Sequence, residues 1–327
     1  MSASVRALID AAARVARDPT IVARLTASTG LSRENVEIGL ARHLETTVTE
    51  AEIDALVSSA GRAESVGVVL SASVFVAPLR AIALALAASD RVVVKPSRRE
   101  PVFAHALVEA LGDPRVTIEA RSPMHVARLD VYGRDETIES VRRAAGPRVI
   151  VRGHGAGMGV ALVTGDFARA AEALAQDVTA FDQRGCLSPR VVWVVGDARA
   201  FGRTMFDALE SRGRAVPRGA LDRAESEELA RWSGAVAYAG ELHRGASCAV
   251  GVLDAPAIPP TGRHLLVRPL ASPDALPTAL GHVARFVVAV GSDFPGVHAV
   301  APAHARTSPL GAMQRPPLDG PVDRRPA

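Results

Sequence analysis

Cys186 lies on a connection between a predicted helix and a predicted strand, and its neighbours suit a reactive thiol. The segment around it is FDQRGCLSPR, residues 181–190. Gly185 allows close approach of the backbone, and the cationic Arg184 and Arg190 favour the thiolate, which is the form that attacks carbonyl carbon atoms. The alternative interpretation is that Cys186 is an ordinary small buried residue.

Lys95 is the only lysine among the 38 basic residues of the chain, and it follows the predicted strand Arg91–Val94. Ligands of open α/β sheets bind outside the carboxyl ends of strands, so Lys95 is a candidate to contact a nucleotide ribose or phosphate. A compact ammonium suits such a position, although a single lysine also arises by chance. Arg98 and Arg99 follow; they either pair with a 2′-phosphate, which favours NADP over NAD, or are solvated.

Gly133 forms a turn between the predicted strand Arg128–Tyr132 and a predicted helix that begins at Asp135. The backbone amides of Gly133 and Arg134 at such a helix start suit the pyrophosphate of a dinucleotide. No G-x-G-x-x-G occurs in the sequence, so the ordinary dinucleotide-binding fingerprint is absent.

The hydrophobic pattern divides the chain into a helical beginning and two α/β regions. Residues 1–60 are predicted as a helical lead-in, 61–152 as a nucleotide-binding domain, 153–290 as a catalytic domain that contains Cys186, and 291–327 as a carboxyl-terminal arm. Short apolar strands that alternate with helices of about ten residues imply a parallel sheet covered on both faces.

The elements of the two α/β regions are predicted from hydrophobic runs and turn residues. In the first region the strands are Val66–Ser71, Arg91–Val94, Val116–Glu119, Arg128–Tyr132 and Arg148–Val151, and the helices are Leu79–Ala88, Pro101–Leu111 and Asp135–Ala145. In the second, the strands are Val160–Val163, Val191–Val195, Ala235–Tyr238, Ser247–Leu253, His264–Val267 and Phe286–Val290, and the helices are Asp166–Ala180 and Ala198–Ser211. The tail from Ala301 shows no periodicity and is predicted to be extended or disordered.

The composition argues against several classes of protein. The 38 basic and 35 acidic residues are interleaved, so nucleic-acid binding is not implied. The apolar run Val66–Ala88 contains Pro78 and Arg80, which favour a buried strand and helix over a membrane span. The chain lacks a secretory signal, and its 2 cysteines are too few for a disulfide scaffold, so we expect a cytoplasmic protein. No Cys/His cluster has metal-ligand spacing, and we expect no metal site.

The order of these motifs resembles the aldehyde dehydrogenase superfamily, and more closely the acyl-CoA reductases that supply long-chain aldehyde in bacterial bioluminescence. Residues 183–189 (QRGCLSP) look like their nucleophile loop, and residues 311–314 (GAMQ) resemble the glycine-containing motif near their carboxyl end. The resemblance runs from about Val66 to Pro317, in a chain much shorter than typical members. It implies an α/β fold with a Rossmann-type parallel sheet domain and a second α/β catalytic domain.

The resemblance also implies roles for individual residues. Cys186 takes the nucleophile position, Lys95 and Ser97 take the cofactor-ribose positions, and Gly133 takes the pyrophosphate turn. Arg98 and Arg134 are further candidates for binding NADP(H).

Two positions depart from the family pattern. The family's glutamate base falls on Arg152, and the asparagine that helps to hold the oxyanion falls nearest to Ser73. His154, close to the missing base in sequence, is either a group that handles protons or a structural histidine.

The function predicted from these residues is NADPH-dependent reduction of an acyl-CoA, or another acyl thioester, to an aldehyde through a Cys186 thioester. One alternative is a degenerate homologue that keeps the fold and serves as a subunit of a larger complex. Another is a cysteine acyltransferase that forms the acyl-enzyme without reducing it. The resemblance further implies a homo-oligomer.

Overall fold

The computed structural model describes residues 1–325, which fold into two compact units. Unit 1 consists of residues 1–156 together with the segment from Pro317 onward, and unit 2 consists of residues 157–316. The helical beginning of the chain is therefore part of unit 1. Of the predicted carboxyl-terminal arm, residues 291–316 are built into unit 2 and only the segment after them returns to unit 1.

Unit 1 is an open parallel sheet with helices. Its helices are α1 (Ser2–Ala16), α2 (Ile21–Thr29), α3 (Arg33–Ile38), α4 (Glu50–Ala60), α5 (Pro78–Ala88), α6 (Val102–Leu111) and α7 (Asp135–Ala144), and its strands are β1 (Val66–Val69), β2 (Val92–Lys95), β3 (Val116–Ile118), β4 (Arg128–Tyr132) and β5 (Ile150–His154). The strand order is β3-β2-β1-β4-β5. The order reverses between β1 and β4, which makes a topological switch point of the kind at which α/β sheets bind ligands.

Helix α5 is buried along its whole length, as the apolar run Val66–Ala88 predicts. Its one charged residue, Arg80, forms an ion pair with Glu45 and donates hydrogen bonds to the carbonyl oxygens of Pro317 (2.8 Å) and Gly320 (2.6 Å). A buried guanidinium needs such partners, so Arg80 also anchors the returning carboxyl-terminal segment to unit 1. None of the helices in residues 1–325 is both long enough and apolar enough to span a bilayer.

Unit 2 contains a larger sheet, parallel except at one edge. Its strands are β6 (Met158–Val163), β7 (Pro189–Val195), β8 (Glu241–Arg244), β9 (Ala249–Val252), β10 (His264–Leu270), β11 (Val287–Ser292) and β12 (Arg306–Pro309), and its helices are α8 (Phe167–Thr179), α9 (Ala198–Ala215), α10 (Arg223–Ala239), α11 (Leu276–Leu280) and α12 (Val297–Val300). The order is β12-β11-β6-β7-β10-β9-β8, with β8 antiparallel to β9. Both units thus have the predicted α/β class.

The predicted strand Ala235–Tyr238 is wrong, because these residues end helix α10. The helix begins with a capping box in which Asp222 and Glu225 bond each other's backbone amides. Trp232 and Val236, four residues apart, face the core of unit 2, whereas Tyr238 is 95% exposed. The four-residue apolar run is too short to distinguish a strand from a helix, and the cap thirteen residues upstream decides the outcome.

The segment after β11 is ordered by pairing and by one carboxylate. Strand β12 pairs with β11, with Arg306 opposite Ala289. Asp177 of α8 is 1% exposed and accepts hydrogen bonds from the backbone amides of Gly311 (2.6 Å) and Met313 (2.9 Å). The glycine-containing segment 311–314 is therefore attached to the helix that leads to Cys186.

Burial raises the pKa of Asp177 to about 7, although the backbone hydrogen bonds oppose this shift. Between about pH 4 and pH 7, the folded protein keeps a proton on Asp177 that the unfolded chain releases. The contribution of Asp177 to the free energy of unfolding is therefore complete below about pH 4 and is lost as the pH rises through about 7. We expect Asp177→Asn to remove this decline in the free energy of unfolding, and to lower the free energy by about 1–3 kcal/mol because its amide N–H₂ faces backbone donors. Urea unfolding of both proteins across this pH range measures both effects; parallel pH profiles would contradict the assignment.

Candidate active site

Cys186 occupies an outer corner of a turn whose other residues are mostly buried. The Ser188 amide donates to the Gly185 carbonyl oxygen (3.1 Å), which closes a turn with Cys186 at its second position. Gly185 and Leu187 are buried on either side, whereas Cys186 is only half-buried. Cys186 is thus more exposed than Cys248, which is 2% exposed and has a pKa raised by burial and by Glu210.

Gly159 of β6 makes a contact with this turn that only glycine allows. Its amide donates to the Ser188 carbonyl oxygen (3.0 Å), and a Cβ atom at this position would lie 2.2 Å from the Leu187 carbonyl oxygen. The sequence marks 153–159 as glycine-rich, but it does not reveal which glycine is needed. Here the need is close approach of two backbones.

A left-handed turn precedes the Cys186 turn and is held by a glutamine. Phe181, Asp182 and Gln183 have φ angles of 51°, 52° and 64°. The Gln183 amide nitrogen donates to the carbonyl oxygens of Pro189 and His264, both at 2.7 Å, and its oxygen accepts from the His264 amide (2.8 Å). Gln183 therefore links both ends of the nucleophile segment to the start of β10.

The two arginines that flank Cys186 in sequence have partly compensated charges. Arg184 lies 3.9 Å from Glu225 and donates to the Ala220 carbonyl oxygen (3.4 Å). Burial lowers the pKa of Arg190, while the charge of Glu228 acts in the opposite direction. Arginine keeps its proton in proteins, so Arg190 stays cationic despite this shift.

Lys95 ends β2 at the carboxyl edge of the unit 1 sheet, in register with Val69 of β1. It is half-buried, and its pKa is lowered by burial and by the charge of Arg98. The hydroxyl of Ser97 accepts from the Arg99 amide (3.2 Å), and Arg98 is exposed. The three candidates therefore lie within four residues at the end of β2, at the edge where α/β sheets bind nucleotides.

The turn at Gly133 fits a pyrophosphate less well than the sequence predicts. The Gly133 amide donates to the His154 carbonyl oxygen (3.2 Å), so the sheet already uses this donor. Helix α7 begins after Arg134 with Asp135 and Glu136, and their carboxylates repel an anion at the helix start. The roles of Gly133 and Arg134 in cofactor binding stay predictions.

Of the remaining predicted residues, Ser73 and His154 lie at or after the carboxyl ends of strands, whereas Arg152 lies within β5. Ser73 is exposed in the loop after β1, and Arg152 is exposed on β5. His154 ends β5 and stacks on the Tyr132 ring, with ring centroids 4.4 Å apart. Burial lowers the pKa of His154 and favours the neutral ring, while Asp130 and Asp323 oppose the shift.

The structure thus gathers part of the predicted site within each unit. In unit 1, the residues at or just after the carboxyl ends of strands are Ser73, Lys95, Ser97, Gly133 and His154. Cys186 belongs to unit 2, with Gly159 and Gln183 as supporting residues that the sequence analysis did not assign. Gln183 contacts a strand 81 residues away, and no local pattern signals such a contact.

Residues 124–239 match the family model described as acyl-CoA reductase (LuxC). The matched segment contains Cys186 and its supporting residues Gly159 and Gln183. No curated protein sequence matches the chain significantly.

Solved structures with the aldehyde dehydrogenase fold are similar to nearly the whole chain. An oxidoreductase from Marinobacter aquaeolei has a TM-score of 0.76 at 14% identity, over 96% of this chain and 79% of that one. Aldehyde dehydrogenase 21 from Physcomitrella patens, in complex with the reaction product succinate, has a TM-score of 0.71 at 15% identity, over 95% and 78%. A Mycobacterium tuberculosis aldehyde dehydrogenase complexed with NAD⁺ has a TM-score of 0.66 at 15% identity, over 94% and 76%.

These findings confirm the predicted resemblance: the chain has the aldehyde dehydrogenase fold, and its central segment resembles the acyl-CoA reductase branch. Identities this low speak for the fold alone. The family match supports an oxidoreductase function.

Replacing Gly159 by alanine tests the packing of the Cys186 turn. Because the new methyl group would overlap the Leu187 carbonyl, we expect Gly159→Ala to lower the free energy of unfolding by about 1–3 kcal/mol. Gly234 is the matched control, since a Cβ there meets nothing within 4 Å and the residue lies within α10. Gly234→Ala should raise stability by about 0.5–1 kcal/mol through helix propensity. Chemical denaturation of both variants measures the effects, and equal stabilities would refute the close approach.

Proposed function

We propose that this chain is an acyl-CoA reductase that converts an acyl thioester to an aldehyde through a covalent thioester on Cys186, with NADPH as reductant. The observation that carries the proposal is the half-buried Cys186 at the corner of a turn that is otherwise largely buried. Its location inside the segment that matches the acyl-CoA reductase family supports the same conclusion.

Cys186 acts as the nucleophile. Its thiolate attacks the carbonyl carbon of the acyl thioester, the new carbon–sulfur bond forms, and coenzyme A leaves with its own sulfur. The Cys186 backbone N–H is the group of unit 2 that we assign to the oxyanion. When bound, NADPH would supply the hydride that reduces the acyl group, and the carbon–sulfur bond to Cys186 would then break to release the aldehyde and regenerate the thiolate.

The arginine at position 152 supports reduction of the acyl-enzyme over its hydrolysis. Release of a carboxylic acid from the acyl-enzyme needs a base that activates water, and position 152 holds an exposed arginine where the family resemblance places a glutamate. A neutral His154, stacked on Tyr132, is our candidate for the remaining proton transfers.

Unit 1 is the proposed nucleotide-binding unit. The switch point between β1 and β4, with Lys95 half-buried at the carboxyl end of β2, fits a nucleotide ribose and phosphate. The exposed guanidinium of Arg98 suits a 2′-phosphate, which supports NADP(H) over NAD(H). We expect the protein to act in the cytoplasm as a homo-oligomer or as a subunit of a larger complex.

Cys186 is tested by incubating the protein with an acyl-CoA, with and without NADPH, while intact mass and NADPH absorbance are followed. We expect a mass increase of one acyl group on Cys186 without NADPH, and NADPH oxidation when both substrates are present. Cys186→Ser should abolish both, and Cys248→Ala should retain both. Acylation without oxidation would identify an acyltransferase, and neither reaction in a protein that still binds nucleotide would indicate a degenerate subunit.

Lys95 is tested by nucleotide binding, measured from NADPH fluorescence. We expect Lys95→Met to weaken NADPH binding about tenfold, because the variant loses one charged hydrogen bond of about 1.5 kcal/mol. Arg91 precedes the other end of the same strand, so Arg91→Met should leave binding unchanged. Arg98→Ala should weaken NADPH binding but not NADH binding. Equal affinities in Lys95→Met and the wild type would remove Lys95 from the site.

A further inference from the structure

The backbone before Cys186 adopts a conformation that its residues do not favour. Within residues 1–325, the non-glycine residues with positive φ angles are Phe181, Asp182, Gln183 and Arg263. The left-handed region costs a residue with a side chain on the order of 1–3 kcal/mol, and a bulky residue such as Phe181 is a strong outlier there. Three such residues in succession persist only if the surrounding contacts hold them.

A buried ion pair joins the two left-handed sites. Arg263 binds one carboxylate oxygen of Asp182 through both Nε (2.9 Å) and Nη2 (2.7 Å), and both side chains are 1% exposed. The other carboxylate oxygen accepts from the Gly219 amide (2.9 Å), and the Asp182 carbonyl oxygen accepts from the Gly262 amide (3.1 Å). Asp182 is therefore held through its side chain and its backbone.

The guanidinium of Arg263 is satisfied at its other end as well. Nη1 donates to the Val216 carbonyl oxygen (2.6 Å), and Nη2 donates to that of Pro217 (3.2 Å). The ion pair thus ties together the left-handed turn, the segment after α9 and the entrance to β10. Each of these segments is distant in sequence from the others, so the pair defines their relative positions.

We propose that Asp182 and Arg263 are positioning residues for Cys186: their buried ion pair holds the left-handed turn 181–183 and thereby sets the place from which the thiol attacks. This inference rests on the proposed function. Asp182 precedes Cys186 by four residues, and the connection is short and hydrogen-bonded, with the Arg184 amide bonded to the Phe181 carbonyl oxygen (3.1 Å) and the Ser188 amide to that of Gly185 (3.1 Å). A shift at Asp182 is therefore transmitted to the thiol.

Stability alone does not account for an ion pair at this position. Two apolar side chains of similar volume often stabilise a protein as much as a buried ion pair, because they avoid the cost of desolvating two charges. Hydrogen bonds from one guanidinium to a carboxylate and two carbonyl groups are directional, so they fix the distances and angles between these groups. Apolar contacts do not fix such geometry. Specified geometry is what a nucleophile needs, because a displacement of about 1 Å costs a reaction on the order of 10²-fold in rate.

The first test measures Asp182→Glu, which keeps the charge and adds one methylene group. We expect the rate of Cys186 acylation by acyl-CoA to fall at least about tenfold, with the KM for acyl-CoA changed less than about threefold, because the nucleophile and not the binding surface is displaced. NADPH binding should be unchanged. A wild-type acylation rate in this folded variant would overturn the proposal.

The second test separates positioning from stability. Asp182→Leu combined with Arg263→Met removes both charges, so it should be more stable than Asp182→Asn, which leaves Arg263 buried without its counter-ion. We expect the double variant to stay slow in acylation although its stability recovers. Recovery of the acylation rate together with stability would show that the pair serves only folding.

Glu45→Gln is the matched control, because it breaks another buried ion pair, that with Arg80, in unit 1. It should lower the melting temperature and leave acylation at the wild-type rate. A loss of acylation as large as that of Asp182→Glu would overturn the assignment, since general destabilisation would then explain both.

Alkylation of Cys186 by iodoacetamide, located by peptide mass, reports on the thiol without relying on acyl-CoA chemistry. We expect Asp182→Glu to change the Cys186 alkylation rate by at least about threefold while Glu45→Gln leaves it at the wild-type value. If wild-type protein forms no acyl-enzyme but alkylation responds in this way, the proposed function fails and the positioning survives. If acylation occurs and neither reaction responds to Asp182→Glu, the positioning fails and the proposed function survives.

Discussion

The contact between Asp182 and Arg263 is the constraint on which the Cys186 segment depends. Helix α8 ends at Thr179, and the chain must then reverse into β7 within ten residues while leaving one thiol half-buried. It does so through three left-handed residues, which are unfavourable for side chains with a Cβ atom. A hydrogen-bonded ion pair between side chains that are each 1% exposed holds this turn in position.

The contacts around this turn all reach main-chain atoms, and one of them comes from the side chain of Gln183. Gly159 approaches from β6, Gln183 bridges to His264 on β10, and the turn itself is closed between Gly185 and Ser188. All of these contacts hold main-chain atoms in place, so they fix the path of the chain on both sides of Cys186. Such an arrangement suits a residue whose function is to react, because a rigid support reduces the reorganisation needed for attack.

In unit 1, the order of the strands and the charged side chains at one edge of the sheet have different roles. The order of its strands brings the ends of β1, β2 and β4 to one edge, and this topology is the kind at which α/β sheets bind ligands. Individual side chains then adapt the site. Lys95 and Arg98 bring positive charge to one side of it, whereas Asp135 and Glu136 begin α7 with negative charge. A dinucleotide held chiefly at the β2 side is consistent with that distribution.

Local patterns in the sequence determined the α/β class and most of the helices and strands, because the spacing of hydrophobic residues and the turn residues act over a few positions. The same patterns placed Cys186 on a connection and Lys95 at the end of a strand. They failed at Ala235–Tyr238, where a cap far upstream governs a short apolar run, and missed β8 and β12, which carry polar residues and a proline at sheet edges. Only the tertiary structure decided that Arg263 meets Asp182 across 81 residues, that Gly159 has no room for a Cβ atom, and that Asp177 holds segment 311–314. These contacts join residues distant in the chain, and whether a buried polar group is satisfied depends on neighbours that folding alone brings together.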